Sequence, residues 1–162
     1  MLLFFLSCAP ETSSTAVSAV ELVSSTVTHE PQSEPWVQGC THPAPPGLGF
    51  MIEEEANHAG IDPAWLAVTV WRESGCNNAA LGSSGEIGLT QINPKVWSAA
   101  LGSSPDGWEM WNPESNLRYS AMILRRLRDS SASEREMFRK YNGAGPKARK
   151  YAAEQMAVLA SL

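Results

Sequence analysis

The sequence predicts a mainly α fold: a single domain of five or six helices with at most a small β-hairpin, preceded by a disordered tail. Three observations predict it. The helix-start pattern of an Asx residue followed by Pro stands at Asp62-Pro63 and again at Asn112-Pro113, each ahead of apolar residues at helical spacing. Ser133 with Glu136 three residues later has the form of a capping box. Residues 9–47 are rich in Ser, Thr, Pro and Glu with few large apolar side chains, too little to offset the entropy of ordering them. A chain of 162 residues with 43% apolar content leaves room for one domain with a real core beyond that tail.

In chain order, residues 1–8 form a short apolar segment, 9–47 a solvated tether, and 48–162 the folded domain. Trp36 is the one large aromatic of the tether and a candidate to dock on the domain. Phe50 to His58 reads as a helix stopped by Gly60. Pro63 to Ser74 reads as the next, with Leu66, Val70 and Trp71 near one apolar face and Glu73 in the last turn. Gly75 to Gly85 is a loop of small and amide residues. Glu86 to Asn93 reads as a strand or irregular hairpin arm, ended by Pro94. Pro113 to about Arg128 is the strongest helix, with Leu117, Ala121, Leu124 and Leu127 as its buried stripe and Arg125, Arg126 and Arg128 in the last turn, where the helix dipole favours cations. A helix from Ser133 through Tyr141 is broken by Gly143-Ala144-Gly145. Pro146 opens the last helix, with Tyr151, Met156 and Leu159 as core candidates. Glu53-Glu54-Glu55 reads as a solvated helix face.

Charge is unevenly placed. Residues 1–71 hold eight acids and no Lys or Arg, a balance of −8. Residues 72–162 hold twelve basic residues against nine acids, a balance of +3. That mildly basic half suits an anionic polymer such as a cell wall and is too weak to argue for nucleic acid.

The first ten residues, MLLFFLSCAP, resemble the end of a bacterial lipoprotein signal, in which Cys8 would receive a lipid; no Lys or Arg precedes the run, and the run is shorter than a usual signal core. A lipidated Cys8 leaves Cys40 and Cys76. Either they pair, closing a loop of about 37 residues worth about 4 kcal/mol in the chain-entropy picture and pinning the tail beside the Gly75–Gly85 loop, or they are independent thiols. Cys40-Thr41-His42 has no second ligand pair at metal spacing, so no zinc site is assigned. His29, His42 and His58 receive no role.

The chemistry concentrates between Trp65 and Trp97. Glu73 is a lone acid at a helix end facing a polar loop. The negative end of the helix dipole disfavours its ionisation, and partial burial against aromatic residues acts in the same direction, as suits a group that must hold a proton near neutral pH. Taken alone, Gln91 reads as a structural amide and Tyr141 as a core tyrosine with a satisfied hydroxyl. Trp97, Trp108 and Trp111 fit a sugar-stacking cleft and an ordinary core equally well.

Four motifs in order alter that balance: Glu73-Ser74, Gly88-Leu89-Thr90-Gln91-Ile92, the helix from Asn112-Pro113 to Leu127, and Tyr141-Asn142-Gly143-Ala144-Gly145. Together, over about residues 48–155, they resemble the lysozyme-like lytic transglycosylases of the soluble lytic murein transglycosylase type. The resemblance implies a lysozyme-like fold and cleavage of the bond between N-acetylmuramic acid and N-acetylglucosamine in peptidoglycan. Glu73 would protonate the linking oxygen and then, as a base, take the proton from the carbon-6 hydroxyl as it closes on carbon-1, giving a 1,6-anhydro product without water. Ser74, Gln91 and Asn142 are implied as substrate contacts, and Tyr141 as the hydroxyl that hydrogen-bonds and positions the acid. No cofactor is implied.

Glu86 departs from the small residue common two places before the Gly-Leu-x-Gln motif. Animal-type lysozymes carry their second carboxylate at the corresponding place, so Glu86 is either an exposed hairpin acid or a second carboxylate permitting hydrolysis. Three functions therefore stand: a lytic transglycosylase, a muramidase of lysozyme type, and a non-catalytic wall-binding or assembly module. The expected partner is the peptidoglycan glycan strand, with a lipid anchor through Cys8 and a place in the bacterial cell envelope or outside it. The sequence assigns no oligomeric state.

Overall fold

Seven helices form among the described residues, and most begin where a side chain satisfies the free N–H groups of a first turn. The structure is a computed structural model that describes residues 35–101 and 107–162. Helix α1 runs Leu48–Ala59. Helix α2, Pro63–Ser74, is capped by Asp62, whose carboxylate accepts from the Ala64 N–H at 2.9 Å, and it ends at Gly75 in a left-handed conformation. Helices α3, Pro94–Leu101, and α4, Gly107–Trp111, follow the loop. Helix α5, Pro113–Asp129, is capped by Asn112 on the Ser115 N–H at 2.9 Å. Helix α6, Glu134–Asn142, is capped by Ser133 on the Glu136 N–H at 3.3 Å, and α7 spans Gly145–Leu159.

Seven helices exceed the five or six expected because Pro94 starts a helix as well as ending the segment before it. The Asn93 side chain accepts from the Lys95 N–H at 3.0 Å, the same Asx-Pro device that opens α2 and α5. No extended strand forms among the described residues. The expected hairpin is reduced to two isolated bridges, Leu81 with Ile87 and Ile87 with Ile92.

Helix α5 packs against α1, α2, α3, α4 and α6, and α2 packs against α1, α5 and α7. This central place explains why five consecutive residues of α2, Leu66 to Val70, are buried, where an amphipathic surface helix would bury one stripe. Its last turn is thereby held rigid between α7 and the loop that follows.

Two expectations about the N-terminal side are corrected. Residues 35–47, expected as the end of a solvated tether, pack on the domain. The Trp36 indole donates to Glu53 at 3.0 Å, the Trp71 indole donates to the Trp36 carbonyl at 2.8 Å, and a disulfide joins Cys40 to Cys76. The Thr41 and His42 N–H groups both donate to the Gly75 carbonyl, at 3.2 and 3.0 Å, which fastens this strap to the end of α2. Glu55 is not part of a solvated face: it is 2% exposed and accepts from Arg118 Nη2 at 2.9 Å and Nε at 3.3 Å. It lies between Ile52 and Ala56 on the core side of α1, where an unpaired charge would be strongly disfavoured.

Candidate active site

A cleft of about 480 Å³ opens where α2, the loop before α3, the start of α3 and the end of α6 meet. Glu73, Glu86, Gln91, Trp97, Tyr141 and Asn142 line it. A larger cavity of about 540 Å³ lies between Trp71 and Val158, but its charged residues, Arg72 and Glu154, pair with each other at 2.6 Å. The first cleft gathers titratable and amide side chains, so it is the candidate site. Among the described residues no group of three side chains could hold a metal ion.

Glu73 reaches the cleft from the last turn of the rigid helix. Burial raises its carboxyl pKa to about 7. Hydrogen bonding by the Tyr151 hydroxyl and the charge of Arg72 draw it down, and the charge of Glu86 adds a smaller push upward. A carboxyl titrating at that point is protonated in roughly half the molecules at neutral pH, so it can give a proton and take one back under the same conditions.

Two tyrosines flank the acid, and they differ. Tyr141 was the residue expected to hydrogen-bond Glu73; the structure corrects this. Its hydroxyl donates its one proton to the Thr90 carbonyl at 3.0 Å, so it accepts from Ser120 Oγ, also at 3.0 Å. Tyr141 interacts with Glu73 through space, while Tyr151 of α7 is the tyrosine whose hydroxyl lowers the Glu73 pKa. Burial first, and then the charge of Glu73, hold both phenols protonated.

The loop wall is organised by a residue to which the motifs assign no role. Asn116 of α5 is fully buried and uses its whole amide. Its oxygen accepts from the Thr90 N–H at 3.0 Å and the Thr90 hydroxyl at 2.7 Å; its nitrogen donates to the Ile87 carbonyl at 2.9 Å and the Met110 carbonyl at 3.0 Å. Gly88 sits against this amide at φ 76°, where a Cβ would stand 2.6 Å from Asn116 Nδ2 and 2.7 Å from the Met110 carbonyl. Only glycine permits that approach, which is the physical reason for the Gly in this motif.

Gln91 lines the cleft while its amide nitrogen donates to the Ala80 and Gly88 carbonyls, at 3.1 and 3.0 Å, leaving the amide oxygen as its free polar group. Glu86 is half-buried, accepts from the Ser84 N–H at 3.0 Å and lines the same cleft; a Cβ on Gly82 would collide with it. Asn142 is exposed at the end of α6 on the cleft rim. Ser74 stands apart from this set. Its hydroxyl donates to the Leu89 carbonyl at 2.7 Å and it is not among the cleft-lining residues, so it ties α2 to the loop. Of the three tryptophans, Trp97 lines the cleft with its ring centroid 6.1 Å from that of Tyr141. Trp111 takes part through its carbonyl, which accepts from Asn78 at 2.9 Å, and the Trp108 side chain lies outside the described residues. Cys8 also lies outside them.

Asn116, Tyr151 and Gln155, which bonds Tyr151, are the site residues that motif reading misses. A signal exists for each. Asn116 and Ser120 fall on the same helical stripe as Leu117, Ala121 and Leu124, and Gln155 stands four residues from Tyr151 on the buried face of α7. A polar side chain on an apolar face must find partners there.

A helical domain of lysozyme-like class, with one strongly perturbed acid in a polar cleft, defines a narrow group of proteins. Residues 50–160 match the family described as "Transglycosylase SLT domain", and the chain belongs to that family. Membership brings, at the level of the family, lytic-transglycosylase activity on peptidoglycan. No curated protein matches the chain.

Proposed function

We propose that this protein cleaves the β-1,4 bond between N-acetylmuramic acid and N-acetylglucosamine with Glu73 as its single acid and base, releasing 1,6-anhydromuramoyl ends. The observation that carries this reading is a carboxyl raised to about 7 by burial in a glycan-sized cleft. In its neutral form Glu73 protonates the leaving oxygen as carbon-1 gains positive character. The resulting carboxylate takes the proton from the carbon-6 hydroxyl, whose oxygen closes on carbon-1. One proton goes out and one comes back, so the enzyme is regenerated without water. The Gln91 oxygen and the Asn142 amide are suited to sugar hydroxyls or acetamido groups, and Trp97 offers a face for ring stacking.

A second reading rests on Glu86, which lines the same cleft and acts on Glu73 by charge. Had Glu86 to stabilise positive charge at carbon-1, water would take the place of the carbon-6 hydroxyl and the enzyme would be a muramidase. Solubilisation of purified peptidoglycan by the wild type, Glu73→Gln and Glu86→Gln separates the two. The single-acid mechanism expects loss only in Glu73→Gln; equal loss in both variants would favour hydrolysis.

For its location, the proposal is the bacterial envelope, with Cys8 as a lipid anchor. Label from palmitate should enter the full chain and be absent from Cys8→Ala; label that persists in the variant would remove the anchor.

A further inference from the structure

The last turn of α2, which carries Glu73, is gripped from outside by the strap of residues 35–47, at three residues around the acid. The Trp71 indole donates to the Trp36 carbonyl at 2.8 Å, and a Cβ on Gly39 would collide with the Trp71 ring. The Gly75 carbonyl accepts from the Thr41 and His42 N–H groups, and Cys76 is bonded to Cys40. Gly75 and Cys76 stand in consecutive left-handed conformations, at φ 59° and 74°. Glycine adopts that conformation freely. A residue with a Cβ does so at a cost, and stays there only where its surroundings hold it. One backbone bond spans Cys76, from the Asn77 N–H to the Ser74 carbonyl at 3.2 Å, so the covalent link to Cys40 is the firmer restraint.

We propose that the Cys40–Cys76 bond positions Glu73: it holds Cys76 in its left-handed conformation and so fixes the turn that presents the acid, which is fully assembled only in the oxidised chain. The inference rests on Glu73 being the acid and base. Cys40 and Cys76 are positioning residues, and neither lines the cleft. With both sulfurs reduced, Cys76 relaxes from its left-handed conformation, the Gly75 carbonyl turns from Thr41 and His42, and water reaches the loosened turn. Lost burial lowers the affinity of the Glu73 carboxylate for its proton. Forming the bond takes two electrons and two protons from the thiols, and a disulfide oxidant is the co-reactant. The Cys40 thiolate attacks one oxidant sulfur and expels the other; the Cys76 thiolate then attacks Cys40 and expels the first, so the oxidant leaves as a dithiol. Half-buried Cys40 is the sulfur such a partner reaches, since Cys76 is fully buried. The charged and titratable groups around Glu73 are Arg72 on α2, Glu86 on the loop, Lys140 and Tyr141 on α6, and Tyr151 on α7. None belongs to the strap, whose own ionisable side chain, His42, lies beside Gly75.

The test compares the full chain oxidised and after dithiothreitol. A 13C titration of the Glu73 side-chain carboxyl gives its midpoint, and peptidoglycan solubilisation gives kcat and KM against pH. Reduction should lower the midpoint by about one pH unit and kcat at pH 7 by about fivefold, with KM little changed. Cys40→Ala with Cys76→Ala should match the reduced wild type and not respond to dithiothreitol. Cys40→Ala with Cys76→Gly should recover most of the midpoint and of kcat, because glycine takes the left-handed conformation unaided. A reduced chain that stays folded by near-ultraviolet circular dichroism, with midpoint and kcat unmoved, would overturn the proposal and leave the bond a structural staple. Should reduction unfold the chain, the glycine variant still decides: a midpoint below that of the oxidised wild type overturns it. A midpoint that moves on reduction in a wild type that solubilises nothing would sink the functional reading and leave the positioning role standing.

Discussion

The two walls of the cleft are built on opposite principles. The loop wall, Gly75 to Asn93, is held by a network of hydrogen bonds: Asn116 serves four backbone and side-chain groups, Gln91 two carbonyls, and Tyr141 both Thr90 and Ser120. The acid wall, the end of α2 backed by α7, buries a carboxyl whose pKa one tyrosine draws down. The first wall gains stability from its polar groups, and the second gives stability up to hold a proton near pH 7. A catalytic carboxyl needs the second kind of surroundings, and the first kind keeps it in place.

Substitutions that exchange these principles should separate the walls. Asn116→Ala should have the largest effect, since it strips partners from Thr90, Ile87 and Met110 together; a loss of roughly 5 kcal/mol in denaturant unfolding is expected. Replacing Cys40 and Cys76 together by Ala should lower stability by about 4 kcal/mol, because the bridge closes a loop spanning 36 positions. A smaller change, or none, would show that the backbone bonds to Gly75 hold the strap by themselves.

On the acid wall the sign reverses. The folded pKa of Glu73, about 7, lies above its ordinary value of 4.5, so the folded chain binds the extra proton and loses stability as pH rises between those two points. Below 4.5 the group is neutral in both states and the penalty vanishes. Glu73→Gln should therefore be more stable than wild type by about 2–3 kcal/mol at pH 8 and equal to it at pH 4. Equal stability at both pH values would mean that the carboxyl is not desolvated. Tyr141→Phe should be the mildest, costing about 1 kcal/mol through the lost bonds to Thr90 and Ser120 while the Glu73 titration stays in place. A clear shift of that titration would return the direct positioning role to Tyr141.

Much of this was legible in the chain. Asp62-Pro63, Asn112-Pro113 and Ser133 with Glu136 mark three helix starts, and Glu73, Glu86, Gln91, Tyr141 and Asn142 line one cleft. Asn93-Pro94 is the same start signal, yet a proline after an apolar segment reads equally as a stop, so α3 is hidden. Glu55 hides within a run of three acids although its spacing from Ile52 and Ala56 places it on the core face. The roles of Ser74 and Tyr141 are not decided by residue type, because the direction of a single hydroxyl proton depends on which carbonyl tertiary packing brings near. Asn116, Tyr151 and Gln155 share that property: each acts through groups distant in sequence.

The most direct test of the central claim is the mass of the products released from purified peptidoglycan by the full chain, with Glu73→Gln beside it. Muropeptides lighter by one water, carrying 1,6-anhydromuramoyl ends and reduced about 10²- to 10⁴-fold in the variant, are the predicted result. Products with free reducing ends, or anhydro products made equally well by Glu73→Gln, would contradict it.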